Sequence, residues 1–291
     1  MRSINPNSPL DKFADLHTHT FHSDGTFSPE ELVRRAREKN LSLLSITDHD
    51  SIAGIEAAIR AAGGDPSTGL GTGLEILAGV ELTVAFKDRE LHVLGYGIRI
   101  NDPALTAFFA KMQIYRQDRI RKMIDRLGER GVEVSFEEVA AVAGEGSIGR
   151  PHLAEALIKR GAVRSLDEAF QKYIGDKGPC FVKGATLTVA QAVDLIRSGG
   201  GVSSLAHPHR IVDDAWIPEL ASAGIQAIEA FHSDHDAAVT DHYRQMAKRH
   251  NLLVTGGSDC HGFRKNKGPL LGSVTLPYHP YVEQLKEAIA G

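Results

Sequence analysis

ADLHTHTFHSDG, residues 14–25, carries three histidines and two aspartates within twelve residues. It grows out of "FADLH" (13–17), a short apolar run with the look of a strand. By itself a His-x-His pair is as much at home on a polar surface as on a metal ion. The rest of the chain changes that reading. Six more short runs rich in Val, Ile and Leu follow: "LSLLSITDH" (41–49), "ILAGVEL" (76–82), "ELHVLGYGI" (90–98), "GVSSLAHPH" (201–209), "IQAIEAFH" (225–232) and "LLVTGGSDCH" (252–261). Each has a His, Asp or Glu at or near its C-terminal end, and helix-like stretches separate them. Strands alternating with helices predict an α/β fold, and α/β folds gather ligands at the C-terminal ends of their strands. Seven runs ending in metal-capable side chains therefore predict one convergent site.

The chain has 291 residues, 42% of them hydrophobic and 24% charged, enough for one large domain or a domain with an insertion. No run of about 18 apolar residues is present, and "MRSINPNSPLDKF" has no apolar core of the kind a secretory signal needs, so a cytoplasmic, membrane-independent chain is expected. Cys180 and Cys260 are the only cysteines, as in a protein of a reducing compartment held together without disulfides. A formal net charge of -4 argues against a broad basic surface for duplex DNA. Small or short partners are expected, and nothing points to an obligate protein partner.

Helix starts are legible. Ser28 with Glu31, Ser135 with Glu138, Ser165 with Glu168 and Thr188 with Gln191 each place a hydroxyl three residues before an acid or amide, the capping-box spacing. Between residues 101 and 187 strand signals vanish and helical patterns take over. This predicts a barrel domain made of 1–100 and 188–291, with a helical insertion at 101–187 seated over the barrel mouth. Residues 63–73, "GGDPSTGLGTG", lack the lysine of a phosphate-binding loop and read as a flexible connection.

His17 and His19 stand two apart on an extended segment, so both side chains leave one face and can reach one ion. Asp24, Asp48, His49, Glu81, His92, His207, His209, Asp259 and His261 supply further candidates. Imidazoles mixed with hard carboxylates and no cysteine suit Mn²⁺, Zn²⁺ or Fe²⁺ rather than a thiolate zinc site. The donors outnumber what one ion needs.

The motifs "DLHTHT", "SDG", "TDHD", "GVE", "LHVLGYG", "LAHP" and "GSDCHG" occur here in the order that marks the polymerase and histidinol phosphatase (PHP) family, which the chain resembles over nearly its whole length. The resemblance implies a distorted (β/α)₇ barrel (PHP fold) with a helical insertion, and a trinuclear centre of three divalent ions, Mn²⁺ foremost with Zn²⁺ or Fe²⁺ as alternatives. It implies His17, His19, Glu81 and Asp259 around a first ion, Glu81 bridging to a second completed by His92 and His207, and Asp24, His49 and His261 around a third. Asp24 stands where histidinol phosphatases commonly carry histidine, which disfavours that activity. The pattern is similar to a stand-alone bacterial branch that hydrolyses nucleotide phosphate esters, acting on 3',5'-nucleotide bisphosphates or on the 5' end of short 5'-phosphorylated RNA. Another small-molecule phosphatase or an amide or lactone hydrolase is the alternative.

Two ions sharing Glu81 would lower the pKa of a bridging water and neutralise charge during in-line attack, so hydroxide would be the nucleophile. The leaving oxygen still needs a proton, for which His235 and His209 are the candidates, with His232 a near alternative. Arg150, in "GSIGRPH", resembles the branch's arginine near the substrate phosphate, and Lys183 and Arg210 are further phosphate-binding candidates. The basic stretch "KMQIYRQDRIRKMIDR" (111–126) is expected to face water, as charged faces of amphipathic helices generally do.

Overall fold

The computed structural model describes residues 12–63, 73–87, 89–184, 187–210, 213–263, 270–274 and 276–291. In chain order it contains β1 (Phe13–Asp15), α1 (Pro29–Glu38), β2 (Leu43–Ile46), α2 (Ile55–Ala61), β3 (Glu75–Phe86), β4 (Arg89–Tyr96), α3 (Pro103–Gly128), α4 (Phe136–Ala143), α5 (Arg150–Lys159) and α6 (Leu166–Ala169). A π-helical turn (Phe170–Ile174) leads on to β5 (Leu187–Thr188), α7 (Val189–Ser198), β6 (Val202–Leu205), α8 (Ile217–Ser222), β7 (Ala227–His232), α9 (Ala237–His250), β8 (Leu253–Gly257), β9 (Leu276–Pro277) and α10 (Glu283–Ala290).

The strands are neighbours in the order β8-β7-β6-β4-β3-β2-β1-β9, with β5 beside β3. Beyond the strand ends, Leu16 N donates to Gly256 O at 3.1 Å, His19 N donates to Cys260 O at 2.9 Å, and Thr18 bridges Cys260 in parallel, bringing β1 back to β8. The result is a nearly closed barrel of seven strands, β1, β2, β3, β4, β6, β7 and β8. The join leaves no room for a side chain on β8: a Cβ on Gly257 would lie 2.3 Å from His17 N.

One strand departs from the expected alternation. β4 pairs antiparallel with both β3 and β6, whereas the other named barrel pairs are parallel. β3 and β4 follow each other as a hairpin with no crossover helix, so one βα unit is missing. His92 consequently lies near the start of its strand rather than the C-terminal end the sequence pattern predicted. It still reaches the mouth, because the strand runs the other way.

The four hydroxyl caps all form: Ser28, Ser135, Ser165 and Thr188 accept from the backbone N–H three residues on. The reciprocal half of the box closes at Ser135 and Thr188. Glu31 instead takes Arg35, and Glu168 accepts from Arg164 N. Helices α1 and α2 pack Leu32, Val33, Ile55 and Ile59 against Leu44 and Ile46 of β2, while α7, α8 and α9 cover the β3-β4-β6-β7 side with Val193, Ile196, Leu220 and Met246. Between β4 and β5 the described chain is helical and has its own apolar core, built around Met123, Leu127, Leu153, Leu157 and Ile174. The glycine-rich connection at 63–73 lies outside the described residues except at its two ends.

Candidate metal centre

The HTH segment leaves the end of β1, the TDHD segment the end of β2, AHPH the end of β6 and SDCH the end of β8, while Glu81 and His92 come from the β3–β4 hairpin. Glu81 sits at the middle of the assembly. Its Oε1 lies 2.7 Å from His92 Nδ1 and 3.0 Å from His207 Nε2; its Oε2 lies 3.3 Å from His17 Nε2, 3.2 Å from His19 Nε2 and 3.1 Å from His49 Nδ1. The two oxygens thus face two groups of imidazoles. Asp259 Oδ1 lies 3.6 Å from His17 Nε2 and 3.4 Å from His19 Nε2. Asp24 Oδ1 lies 3.2 Å from His261 Nε2 and 3.9 Å from His49 Nε2. Four overlapping sets converge within ligating distance: His17, His19 and Asp259; His17, Glu81 and His207; His49, Glu81 and His92; and His19, Asp24, His49 and His261. All nine donors assigned to the three ions are brought together, with His17, His19, His49 and Glu81 each reaching two sets.

Whether ions fit here is decided by the unused atoms. Buried polar atoms are normally hydrogen-bonded, yet His17 Nε2, His19 Nε2, His49 Nδ1, His207 Nδ1, Asp24 Oδ1 and Glu81 Oε2 have no hydrogen-bond partner. They are imidazole nitrogens and carboxylate oxygens from different elements, gathered at the centre of the site. Divalent cations satisfy such a set, and a protein hydrogen-bond network does not.

Charge follows the same pattern. Burial would raise the carboxyl of Glu81, but His49, His92 and His17 hold it well below its ordinary value. Asp24 is likewise held low against burial by His261 and His49. Burial would push His19 down, but Asp259 and Glu81 bring it up to about 9, and Glu229 and Glu81 raise His17 in the same way. His49 and His207 are pushed down by burial.

Outside the donors lies a supporting layer. Glu229, fully buried on β7, accepts from His17 Nδ1 at 2.9 Å and from His207 N at 2.7 Å. A carboxylate at that nitrogen fixes the His17 tautomer, leaving Nε2 as the lone-pair atom. Asp48 accepts from Thr20 N (2.8 Å), Thr20 Oγ1 (2.6 Å) and Ser23 Oγ (2.5 Å), which ties the HTFHSD turn to β2. Asp15 accepts from Ser258 N at 2.8 Å and Gly272 N at 3.0 Å, and burial raises its pKa. Of these three, sequence reading named only Asp48, as a possible metal donor, and its carboxylate is taken up by Thr20 and Ser23 instead. The signal was present for Asp48, which stands beside a donor in TDHD; Glu229 shows only as the lone charge inside an apolar strand.

Above the donors opens a cavity of about 380 Å³. Asp24, His49, Glu81, His92, His207, Asp259 and His261 form one side; Arg116 and Arg119 of α3 and Arg150 at the start of α5 form another. The expectation that the α3 charges merely face water is thereby corrected for two of them. Arg116 Nε donates to Asp50 Oδ2 at 2.8 Å and Arg119 to Glu90 Oε1 at 3.1 Å, pairings that turn both heads inward. Arg210 also lines this cavity, paired with Asp234 and, at 3.4 Å, with Asp259 Oδ2. Lys183 does not: it is exposed and lines a neighbouring cavity.

His209 and His235 also stand apart from the lining. His235 Nδ1 donates to Ala230 O at 2.7 Å, so its Nε2 accepts from His209 Nδ1 at 2.7 Å. His232 joins them, its Nε2 lying 3.7 Å from Asp259 Oδ2. Burial, with His235 and His232 alongside, lowers His209 to about 4, and burial lowers His235. At neutral pH the pair is uncharged, which suits passing a proton rather than storing one.

Known proteins agree with this geometry. The model of the PHP domain family matches residues 15–174. The 5'-3' exoribonuclease Rnm of Salmonella typhimurium is 32% identical over 259 residues, covering 85% of this chain and 84% of that protein. The 3',5'-nucleoside bisphosphate phosphatase of Chromobacterium violaceum is 31% identical over 253 residues, covering 85% and 86%. Among solved structures, a putative metal-dependent phosphoesterase from Bifidobacterium adolescentis superposes with a TM-score of 0.83 at 28% identity, over 97% of this chain and 98% of that one. A family model spanning more than half the chain, relatives aligned nearly end to end and a barrel of the same shape together place this chain in the PHP domain family.

Proposed function

We propose that this metal-dependent phosphoesterase hydrolyses nucleotide phosphate esters, acting on 3',5'-nucleotide bisphosphates, on the 5' end of short 5'-phosphorylated RNA, or on both. The observation that carries the reading is the two-sided cavity, with metal-type donors on one side and three guanidiniums on the other. Guanidiniums beside the donors suit phosphoryl oxygens better than the carbonyl of an amide or lactone. At about 380 Å³ the space suits a nucleotide and excludes a duplex.

His17, His19, Glu81 and Asp259 would hold one ion, Glu81, His92 and His207 a second, and Asp24, His49 and His261 a third, with Mn²⁺ the ion we favour. When bound, these ions supply a hydroxide nucleophile at neutral pH and neutralise phosphoryl charge. The chain does the rest. Glu229 keeps the His17 ring turned inward, and Arg150 and Arg210 orient phosphate oxygens. The His209–His235 pair, just outside the cavity lining, takes up at His209 Nε2 the proton released by the attacking water and returns it to the leaving oxygen. The helical segment 101–187 acts as the cap that contributes Arg116, Arg119 and Arg150.

The test is phosphate release from adenosine 3',5'-bisphosphate beside mononucleotide release from a short 5'-phosphorylated RNA, using Mn²⁺-loaded protein with Asp259→Ala as blank. Fast phosphate release alone identifies a bisphosphatase; successive mononucleotide release identifies RNA as the substrate. Neither product above the blank refutes the reading.

A further inference from the structure

A second cavity, of about 310 Å³, opens beside the first and shares Glu90 with it. Arg89, Asp176, Lys177, Phe181 and Lys183 complete its lining. The partition between the two is ion-paired. Arg150 reaches Asp176 Oδ1 at 2.5 Å and Glu90 Oε2 at 3.6 Å, and Arg119 lies 3.1 Å from Glu90 Oε1. Both carboxylates of the second cavity are thus neutralised by guanidiniums that line the first. Arg89, Lys177 and Lys183 have no ion-pair partner among the described residues, so the second cavity carries uncompensated positive charge.

The wall is anchored. Arg126 donates to Phe181 O and Arg119 Nε to Val182 O at 2.8 Å, while Phe181 N donates to Gly178 O at 3.1 Å. Arg119 and Arg150 lie 5.4 and 5.3 Å from the Phe181 ring centroid, and Arg89, Lys177 and Lys183 share the cavity with that ring. An aromatic ring on a fixed backbone in a cationic cavity is the arrangement by which proteins bind single-stranded nucleic acid irrespective of sequence, bases stacking and phosphates being neutralised.

Building on the proposed nucleotide phosphoesterase activity, we infer that this second cavity is the subsite for the nucleotide following the one at the metal centre, and so receives the continuing strand of an oligoribonucleotide. A nucleotide bisphosphate fills the first cavity alone. A longer strand crosses the Arg150 partition, stacks against Phe181 and places its next phosphates among Arg89, Lys177 and Lys183. Lys183, expected from the sequence at the substrate phosphate, then serves the neighbouring one.

The test compares wild type with Arg89→Ala/Lys177→Ala and, separately, Phe181→Ala. Turnover is measured on adenosine 3',5'-bisphosphate and on a five-nucleotide 5'-phosphorylated RNA with Mn²⁺. Binding of a fluorescent, non-cleavable 2'-O-methyl version of that five-mer is measured by anisotropy across a salt series. Wild type should bind the five-mer more tightly than the bisphosphate. The double variant should bind it about tenfold more weakly, with the slope of log affinity against log salt reduced by about 1.4, or 0.7 for each lost phosphate contact. Bisphosphate turnover of this double variant should stay within about twofold of wild type. Equal losses on both substrates, unchanged five-mer affinity, or wild-type binding no tighter for the five-mer than for the bisphosphate would overturn the subsite. Absence of turnover on both substrates would instead refute the proposed activity, and the anisotropy arm would still decide the subsite.

Discussion

Replacing Glu229 by glutamine keeps the volume and shape of a fully buried side chain while removing its charge and one of its two acceptor atoms. In the native structure Oε1 accepts from His17 Nδ1 at 2.9 Å and Oε2 accepts from His207 N at 2.7 Å. An amide has one oxygen. If it faces His17, the NH₂ group meets the His207 N–H; if it faces His207, the NH₂ group meets His17 Nδ1 and forces that ring to the opposite tautomer, which puts the hydrogen on the lone-pair atom turned toward Glu81. The first orientation loses a hydrogen bond to a charged group and the second loses the charge and the ligating tautomer, a cost of about 1.5–3 kcal/mol. Removing such partners behind a metal ligand typically costs about 10- to 100-fold in metal affinity or activity, roughly 1.4–2.8 kcal/mol, so the two estimates agree. The assay is calorimetric titration of metal-free Glu229→Gln with Mn²⁺ beside wild type, with circular dichroism to establish that the barrel is intact. At least one ion should bind about 10- to 100-fold more weakly. Wild-type affinity for every ion would refute the role given to Glu229.

Chelation should lower the thermal midpoint and Mn²⁺ restore it: at a hundred times its dissociation constant a ligand adds about 2.7 kcal/mol, a rise of roughly 5–10 °C for a chain of this size; differential scanning fluorimetry with and without chelator checks this, and an unchanged midpoint would count against a buried ion cluster. Asp48→Ala removes three buried hydrogen bonds from the HTFHSD turn and should cost about 3 kcal/mol, read as a lower urea midpoint, with metal affinity falling as well because the turn carries His19 and Asp24. Arg150→Ala should lower kcat/KM for phosphate substrates by about 10- to 100-fold, mostly through KM, and leave Mn²⁺ stoichiometry unchanged; equal kinetics in the variant would remove Arg150 from the phosphate site.

Local chemistry made the donors legible. Metal ligands must be particular residue types near strand ends, so HTH, SDG, TDHD and SDCH announce themselves in a single sequence, and the alternation of apolar runs with capped helices announces an α/β fold, which the family resemblance narrows to a barrel. What stayed hidden depends on the path of the chain in space. The reversal of β4 cannot be read from "ELHVLGYGI", because an apolar strand looks the same in either direction; only the short separation of β3 from β4 hinted at a hairpin. Arg116 and Arg119 look like any other charges on a long helix until α3 lies across the mouth and Asp50 and Glu90 draw their heads inward. Lys183 shows the reverse error, a cation with the right chemistry that the fold turns toward a different cavity. Glu229 is invisible to motif reasoning because its work is done on His17, 212 positions away.

The site is also the place where this fold is least favourable to itself. His207 and Asp259, both donors, have φ of +27° and +53°, conformations that cost of order 1 kcal/mol or more for residues other than glycine and persist only where the surroundings enforce them. Around them six donor atoms are buried without a hydrogen bond. Each of these features opposes folding, and the protein's own charges offset it only in part, as where Glu81 Oε2 faces the imidazoles of His17, His19 and His49. The enforcing surroundings are identifiable: Glu229 holds the His207 backbone N–H, Asp15 takes Ser258 N immediately before Asp259, and His19 N donates to Cys260 O immediately after it. Apolar packing on both sides of the barrel supplies the stability that carries the strain. A site assembled at that cost before any ion arrives loses little further conformational freedom on binding, so the metal affinity forgone by weakening Glu229, Asp48 or Asp15 should exceed what their distance from the ions alone would lead one to expect.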